Sequence, residues 1–223
     1  MLPARLRVLY LHGFASSPAS RKARFFAEQL SGMGVAMEIP ELAGNNFERL
    51  TITGQLNVIE RIARVEPVTE PVTMIGSSLG GYLAALYASR HPEVERLVLL
   101  APAFHFYHLW VTELGPERVA AWKEHGTIQV FHYAHQREVP LGFQLIEDAR
   151  RYEPFPDFHQ PALVFHGTRD PVVPVQYSAD FAQAHPNVRF VPLESGHELT
   201  DVLDLIWPDV KLFLSDSGVP LRC

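Results

Sequence analysis

The chain has 223 residues, 47% of them hydrophobic and 20% charged, a globular composition long enough for one substantial core. Its net charge of −6, with lysines and arginines scattered rather than clustered, argues against nucleic acid as a partner. The only cysteine, Cys223, excludes an internal disulfide and a cysteine metal cluster, which fits a reducing compartment.

In chain order, the first apolar run, Val8 to Leu11, is too short for a signal-peptide core and ends in His-Gly. It predicts a first strand and a cytoplasmic protein. No stretch approaches the ~18 apolar residues of a membrane span. Ser20 to Leu30 has helical periodicity, with Ala23, Phe26, Ala27 and Leu30 on one face and Arg21, Lys22, Arg24 and Glu28 elsewhere. A weaker strand follows at Val35 to Ile39, and a second helix at Ile52 to Ala63. Val72 to Ile75 is a strand apolar on both faces, and Gly80 to Ser89, almost wholly small or apolar, is a helix deep in the fold.

Leu97 to Leu100 and Leu163 to Phe165 are further buried strands, and Val188 to Val191 completes a sheet of about six. Alternating strands and helices predict right-handed βαβ units and a doubly wound, mostly parallel α/β domain covering residues 1–223. Its rhythm breaks once, after the strand ending near Ala101. Residues 102–160 hold 11 of the 24 aromatic side chains, Trp110 and Trp122 among them. This insertion is expected to be a lid, or cap, whose aromatic inner face lines a pocket, or a subdomain with a small core of its own. Leu212 to Leu214 reads as the last helix, followed by a frayed end.

Residues 76–81 read Gly-Ser-Ser-Leu-Gly-Gly. A nucleophile elbow needs G-x-S-x-G at a strand-to-helix turn, because the turn leaves no room for side chains on either side of the serine. Ser78 has Gly76 and Gly80 at those offsets, whereas Ser77 has Ile75 and Leu79. Only Ser78 is in register. A serine needs a base to take its proton and an acid to orient that base, in the chain order serine, acid, histidine. Asp170, in His166-Gly-Thr-Arg-Asp170, and His197, in Glu194-Ser-Gly-His197, occupy loops after successive core strands, with Gly196 expected to let its loop bring His197 inward.

Competing readings are a helix-capping Asp170, Glu194 as the acid and His166 as the base; Glu194 lies only three residues from His197, and His166 precedes the acid. Donors for a developing oxyanion are expected from the backbone N–H groups of Leu79 and of Phe14, in the loop His12-Gly-Phe-Ala-Ser-Ser-Pro18. His12 reads as a loop-fixing residue. The pairs His105 and His108, and His132 and His135, have helical spacing but no nearby carboxylate in a metal-binding pattern, and phosphate-binding glycine loops are absent. Neither a cofactor nor a metal is expected.

The loop Tyr10-Leu-His-Gly-Phe-Ala-Ser-Ser-Pro18 and the elbow Ile75-Gly-Ser-Ser-Leu-Gly-Gly-Tyr82 resemble a small bacterial esterase branch of the α/β-hydrolases. That resemblance implies an esterase or thioesterase of small acyl substrates. A serine hydrolase forming an acyl-enzyme is the expected function, with kcat/KM rising with pH as His197 loses its proton. The same triad could instead cleave a carbon–carbon or peptide bond, and the fold could serve as a non-catalytic binding module. Acyl length, leaving group and oligomeric state are not encoded legibly.

Overall fold

A computed structural model describes residues 6–44, 46–64 and 71–215. Cys223 and the frayed end expected after the last helix lie outside them. The main sheet has six strands in the order β2-β1-β3-β4-β7-β8, all parallel. They are β1 (Arg7–Leu11), β2 (Met37–Glu38), β3 (Val72–Ser77), β4 (Val94–Leu100), β7 (Ala162–Gly167) and β8 (Val188–Leu193). Every predicted strand is present. The second is shorter than its apolar run suggests, because at the sheet edge only Met37 and Glu38 pair with β1 while Val35 packs into the core.

Period-two alternation assigns each side chain to a layer. Val8 and Tyr10 pack with Ile75, Val98 and Leu100 against α1 (Arg21–Ser31) and α7 (Leu203–Ser215). Leu9 and Leu11 pack with Met74, Leu97 and Leu99 against α2 (Ile52–Ala63) and α3 (Leu79–Ala88), and the same layer takes in α6 (Val175–Ala184). Burial on both faces explains the continuous apolar runs of β3 and β7, whose residues are all buried. The first two helices start where the sequence offers caps: Ser20 accepts from Ala23 N–H and Thr51 from Gly54 N–H.

The face of α1 differs from the sequence reading at one position. Lys22 is buried alongside Ala23, Phe26 and Leu30, while Ala27 is half-buried. Its ammonium reaches across the fold to the Glu198 carbonyl at 2.8 Å, so its stem lies along the core with the charge satisfied at the far end.

Between β4 and β7 the chain forms α4 (Phe106–His125), an antiparallel hairpin of β5 (Thr127–His132) and β6 (Arg137–Gly142), and α5 (Gln144–Ala149). Helix α4 is two helices broken at Gly115, whose φ of 72° and following Pro116 end one and start the next. The buried Trp122, Leu141, Leu145 and Ile146 of this segment belong to the cluster that includes α2 and α3, so its core is continuous with that layer of the sheet. Thr53 at the start of α2 binds Asp148 through both N–H and hydroxyl, each at 2.7 Å, and Tyr82 donates to the Glu153 carbonyl at 2.7 Å. Among the described residues no helix is long and apolar enough to cross a membrane.

Candidate active site

Strand order reverses between β1 and β3, since the chain first turns outward to β2 and then returns. In open α/β sheets ligands bind at the carboxyl ends of the strands at such a switch point. Leu11-His12 and Ser77-Ser78 leave the sheet there, side by side.

At the end of β3 the chain turns sharply into α3. Ser78 holds φ 52° and ψ −118°, a conformation that costs a residue with a Cβ of order 1–3 kcal/mol and is found where surroundings enforce it. Enforcement comes from backbone packed against backbone: a Cβ on Gly76 would lie 2.4 Å from the Gly80 carbonyl oxygen, and one on Gly80 would lie 2.1 Å from that of Leu11. Both glycines are therefore required for space, as the spacing predicts. Ser78 caps α3 with no side-chain bond to the helix, which leaves its hydroxyl available. Ser77, by contrast, is buried at the end of β3.

The three residues singled out in sequence come together. Ser78 Oγ lies 3.0 Å from His197 Nε2, and His197 Nδ1 lies 2.7 Å from Asp170 Oδ2. Since a carboxylate only accepts, Nδ1 carries the proton of neutral imidazole and Nε2 presents its lone pair to the serine hydroxyl. Asp170 Oδ1 accepts from the N–H groups of Val172 at 2.8 Å and Val173 at 2.9 Å, so the carboxylate also organises its own loop. Its side chain is fully buried. Burial alone would raise its pKa, but hydrogen bonds from His166 and His197, and the charge His197 can carry, hold it well below the usual carboxylate range.

His166, considered only as a rival base in the sequence, has another position. Its Nε2–H is shared between Asp170 Oδ2 and the Val173 carbonyl, each at 3.0 Å, and Nδ1 pairs with the Ser178 hydroxyl at 2.8 Å. It stands behind the carboxylate, not beside the serine. The signal was the spacing of four residues to Asp170 at the carboxyl end of β7. Glu194 points outward, 83% exposed and 3.8 Å from Arg169.

The role expected of Gly196 is a correction. A Cβ there would meet nothing within 4 Å and its φ is not positive, whereas one on Gly167 would lie 2.4 Å from the Ser195 and Gly196 carbonyl oxygens. The missing side chain that lets the His197 loop approach is on β7.

Leu79 is the first residue of α3, where a backbone N–H has no helical acceptor. The Phe14 loop lies against the elbow: a Cβ on Gly13 would come within 3.4 Å of Ser78 Cβ. His12 fixes this loop, donating from Nδ1 to the Gly13 carbonyl at 3.0 Å and accepting from Leu42 N–H at 3.3 Å on Nε2. The histidine pairs stack on each other, His105 on His108 at 4.5 Å and His132 on His135 at 4.0 Å between ring centres. Among the described residues no three metal-ligating side chains converge.

Two cavities meet at Ser78. One, of about 580 Å³, has apolar walls that include Leu79, Phe106, Leu109, Trp110 and Val173. The other, of about 640 Å³, is walled by Ser16, Ser17, Lys22, His197 and Thr200 among others. Phe14 and Val172 line both.

This topology and elbow define an α/β-hydrolase fold, and solved structures agree. Mouse alpha/beta hydrolase domain-containing protein 10 is 20% identical, with a TM-score of 0.78 over 96% of this chain and 91% of its own. Est1E from Butyrivibrio proteoclasticus, solved with ferulic acid bound, is 22% identical, with a TM-score of 0.78 over 95% of this chain and 89% of its own. The monoacylglycerol lipase of Paleococcus ferrophilus is 16% identical, with a TM-score of 0.71 over 94% of this chain and 93% of its own. No curated protein matches the chain by sequence. Residues 7–214 match the family described as Uncharacterised protein family (UPF0227), and the chain belongs to that family.

Proposed function

We propose that the protein is a serine hydrolase that cleaves a carboxylic ester or thioester of a small acyl substrate through an acyl-enzyme. The observation that carries this reading is the hydrogen-bonded line from Ser78 through His197 to the buried Asp170, at the switch point of the sheet. Ser78 Oγ attacks the carbonyl carbon while His197 Nε2 takes its proton, and the imidazolium formed is stabilised by Asp170. The oxyanion is received by the N–H groups of Leu79 and Phe14. Collapse expels the alcohol or thiol, which takes the proton from His197. Water then attacks the acyl-enzyme with His197 again as base, releasing the acid and restoring Ser78.

The apolar cavity suits the acyl chain, and residues 102–160 act as its lid, supplying Phe106, Leu109 and Trp110. A lipase and a ferulic-acid-bound protein among the structural neighbours support ester chemistry, as does the resemblance of the Phe14 loop and the elbow to small esterases. The test is hydrolysis of p-nitrophenyl esters from acetate to laurate by the protein and by Ser78→Ala, with a fluorophosphonate probe for the nucleophile. Turnover and labelling that both depend on Ser78 support the reading; an unlabelled, inactive protein overturns it.

A further inference from the structure

The larger of the two cavities has features that the acyl half of the reaction leaves without a use. Its wall includes the first turn of α1, where Arg21 and Lys22 are followed by Arg24, and no carboxylate stands in that turn. The start of a helix is its electropositive end, so cations are unfavourable there and anions favourable. Three cations at that position oppose the helix dipole unless an anion joins them. Lys22 is fixed in place at 7% exposure by the Glu198 carbonyl at 2.8 Å; the Glu198 carboxylate, 71% exposed, is 3.4 Å away and is the opposing charge in the wall.

A second observation is independent of the helix. The Tyr10 hydroxyl, fully buried in the same wall, has no hydrogen-bond partner among the described residues, although Ser77 and Ser20 lie beside it. A buried hydroxyl without a partner is destabilising, so a ligand oxygen that accepts from it would recover that loss. Ser16, Ser17, Ser20 and Thr200, each with a hydroxyl to offer, line the cavity as well. These donors come from β1, the loop after it, the start of α1 and the loop after β8. Donors arriving from several sides suit a tetrahedral phosphate better than a planar carboxylate.

We infer that this cavity binds a phosphate carried on the leaving group, so that the substrate is an acyl ester or thioester of a phosphorylated alcohol or thiol. This rests on the hydrolase reading above and assigns the two halves of the substrate to the two cavities meeting at Ser78. The acyl carbon is transferred to Ser78 and then to water; the phosphorylated alcohol leaves with the proton returned by His197, its phosphate held by Arg21, Lys22 and the α1 N-terminus throughout.

Two esters of the same acyl chain, one on glycerol and one on glycerol 3-phosphate, test this together with the binding of glycerol 3-phosphate by calorimetry. The expected result is a kcat/KM about 10- to 100-fold higher for the phosphorylated ester, carried mainly by KM. In Arg21→Gln, a change at an exposed position, that ratio falls toward one; in Tyr10→Phe it falls less. Glycerol 3-phosphate binds and competes, and glycerol does not. If the glycerol ester is hydrolysed as well as its phosphorylated counterpart, or glycerol 3-phosphate does not bind, the phosphate site is wrong while the hydrolase reading stands. If glycerol 3-phosphate binds and neither ester is cleaved, the site stands and the hydrolase reading falls.

Discussion

Glycines in two regions of the molecule do opposite work. Around the elbow, Gly76, Gly80 and Gly167 have no positive φ, and a Cβ on any of them would strike backbone at 2.1–2.4 Å. Between β4 and β7, Gly115 and Gly126 have φ of 72° and 78°, and a Cβ on either would meet nothing within 4 Å. The floor of the site is fixed by close approach of main chains, the segment above it by changes of chain direction. Substitutions in the floor should therefore displace reacting groups, and substitutions in the segment should cost local strain and leave the reacting groups in place.

The largest test removes floor chemistry without touching its packing. Asp170→Asn keeps the shape of the side chain but lets its amide face His197, favouring the wrong tautomer, and kcat should fall about 10⁴-fold. A fall of less than tenfold would show that Asp170 only organises its loop. The same substitution has a stability signature with a definite sign. Asp170 has a folded-state pKa below its unfolded value, so its contribution is complete above about pH 4 and is lost as pH falls through the folded value. The difference in unfolding free energy between the protein and Asp170→Asn should therefore shrink as pH falls below about 4, read by urea unfolding at pH 5 and pH 3.

Next in size is Gly80→Ala. With the new methyl 2.1 Å from the Leu11 carbonyl oxygen, β1 and α3 must separate, and we expect a loss of about 3 kcal/mol or more, read by urea unfolding. Much of activity should go with it, because the Phe14 loop is attached to the strand that moves. His166→Gln comes after. It takes one hydrogen bond from Asp170 Oδ2 and the bridge to Ser178, and should lower kcat about 10-fold while KM stays near its starting value. An unchanged kcat would make His166 a packing residue only.

How much of this was readable from sequence depends on how local each cause is. Ser78 was identifiable because the elbow's constraint acts between residues four apart, Gly76 and Gly80. Asp170 and His197 were identifiable because parallel strands deliver their following loops to one edge. The buried strands announced themselves as apolar runs for the same topological reason. What stayed hidden depends on partners distant in sequence. The burial of Lys22 depends on an acceptor at Glu198; the need for glycine at 167 depends on the loop of another strand, at Ser195 and Gly196; the place of His166 behind the carboxylate depends on the fold around Asp170. The 102–160 segment gave its aromatic richness but not its plan, a broken helix and a hairpin whose Trp122 donates to the Leu141 carbonyl at 3.0 Å.

The smallest expected effect falls on that segment and completes the comparison. Gly115 turns the chain between the two halves of α4, and Pro116, with no N–H to satisfy, begins the second half. Gly115→Ala introduces no clash among the described residues, so its cost is that of holding a side chain at φ 72° and ψ 164°, a region essentially reserved for glycine, about 1–3 kcal/mol. Trp110, in the first half of α4, packs against Phe14 at 5.2 Å and against Trp122 in the second half at 5.6 Å between ring centres. Strain at the break should therefore loosen the far wall of the apolar cavity before it reaches Ser78. Hydrolysis of acetate esters should stay within about twofold while the preference among longer chains broadens. Were acetate turnover to collapse as in Gly80→Ala, the segment would be part of the elbow's own support, and the division between floor and covering would not hold.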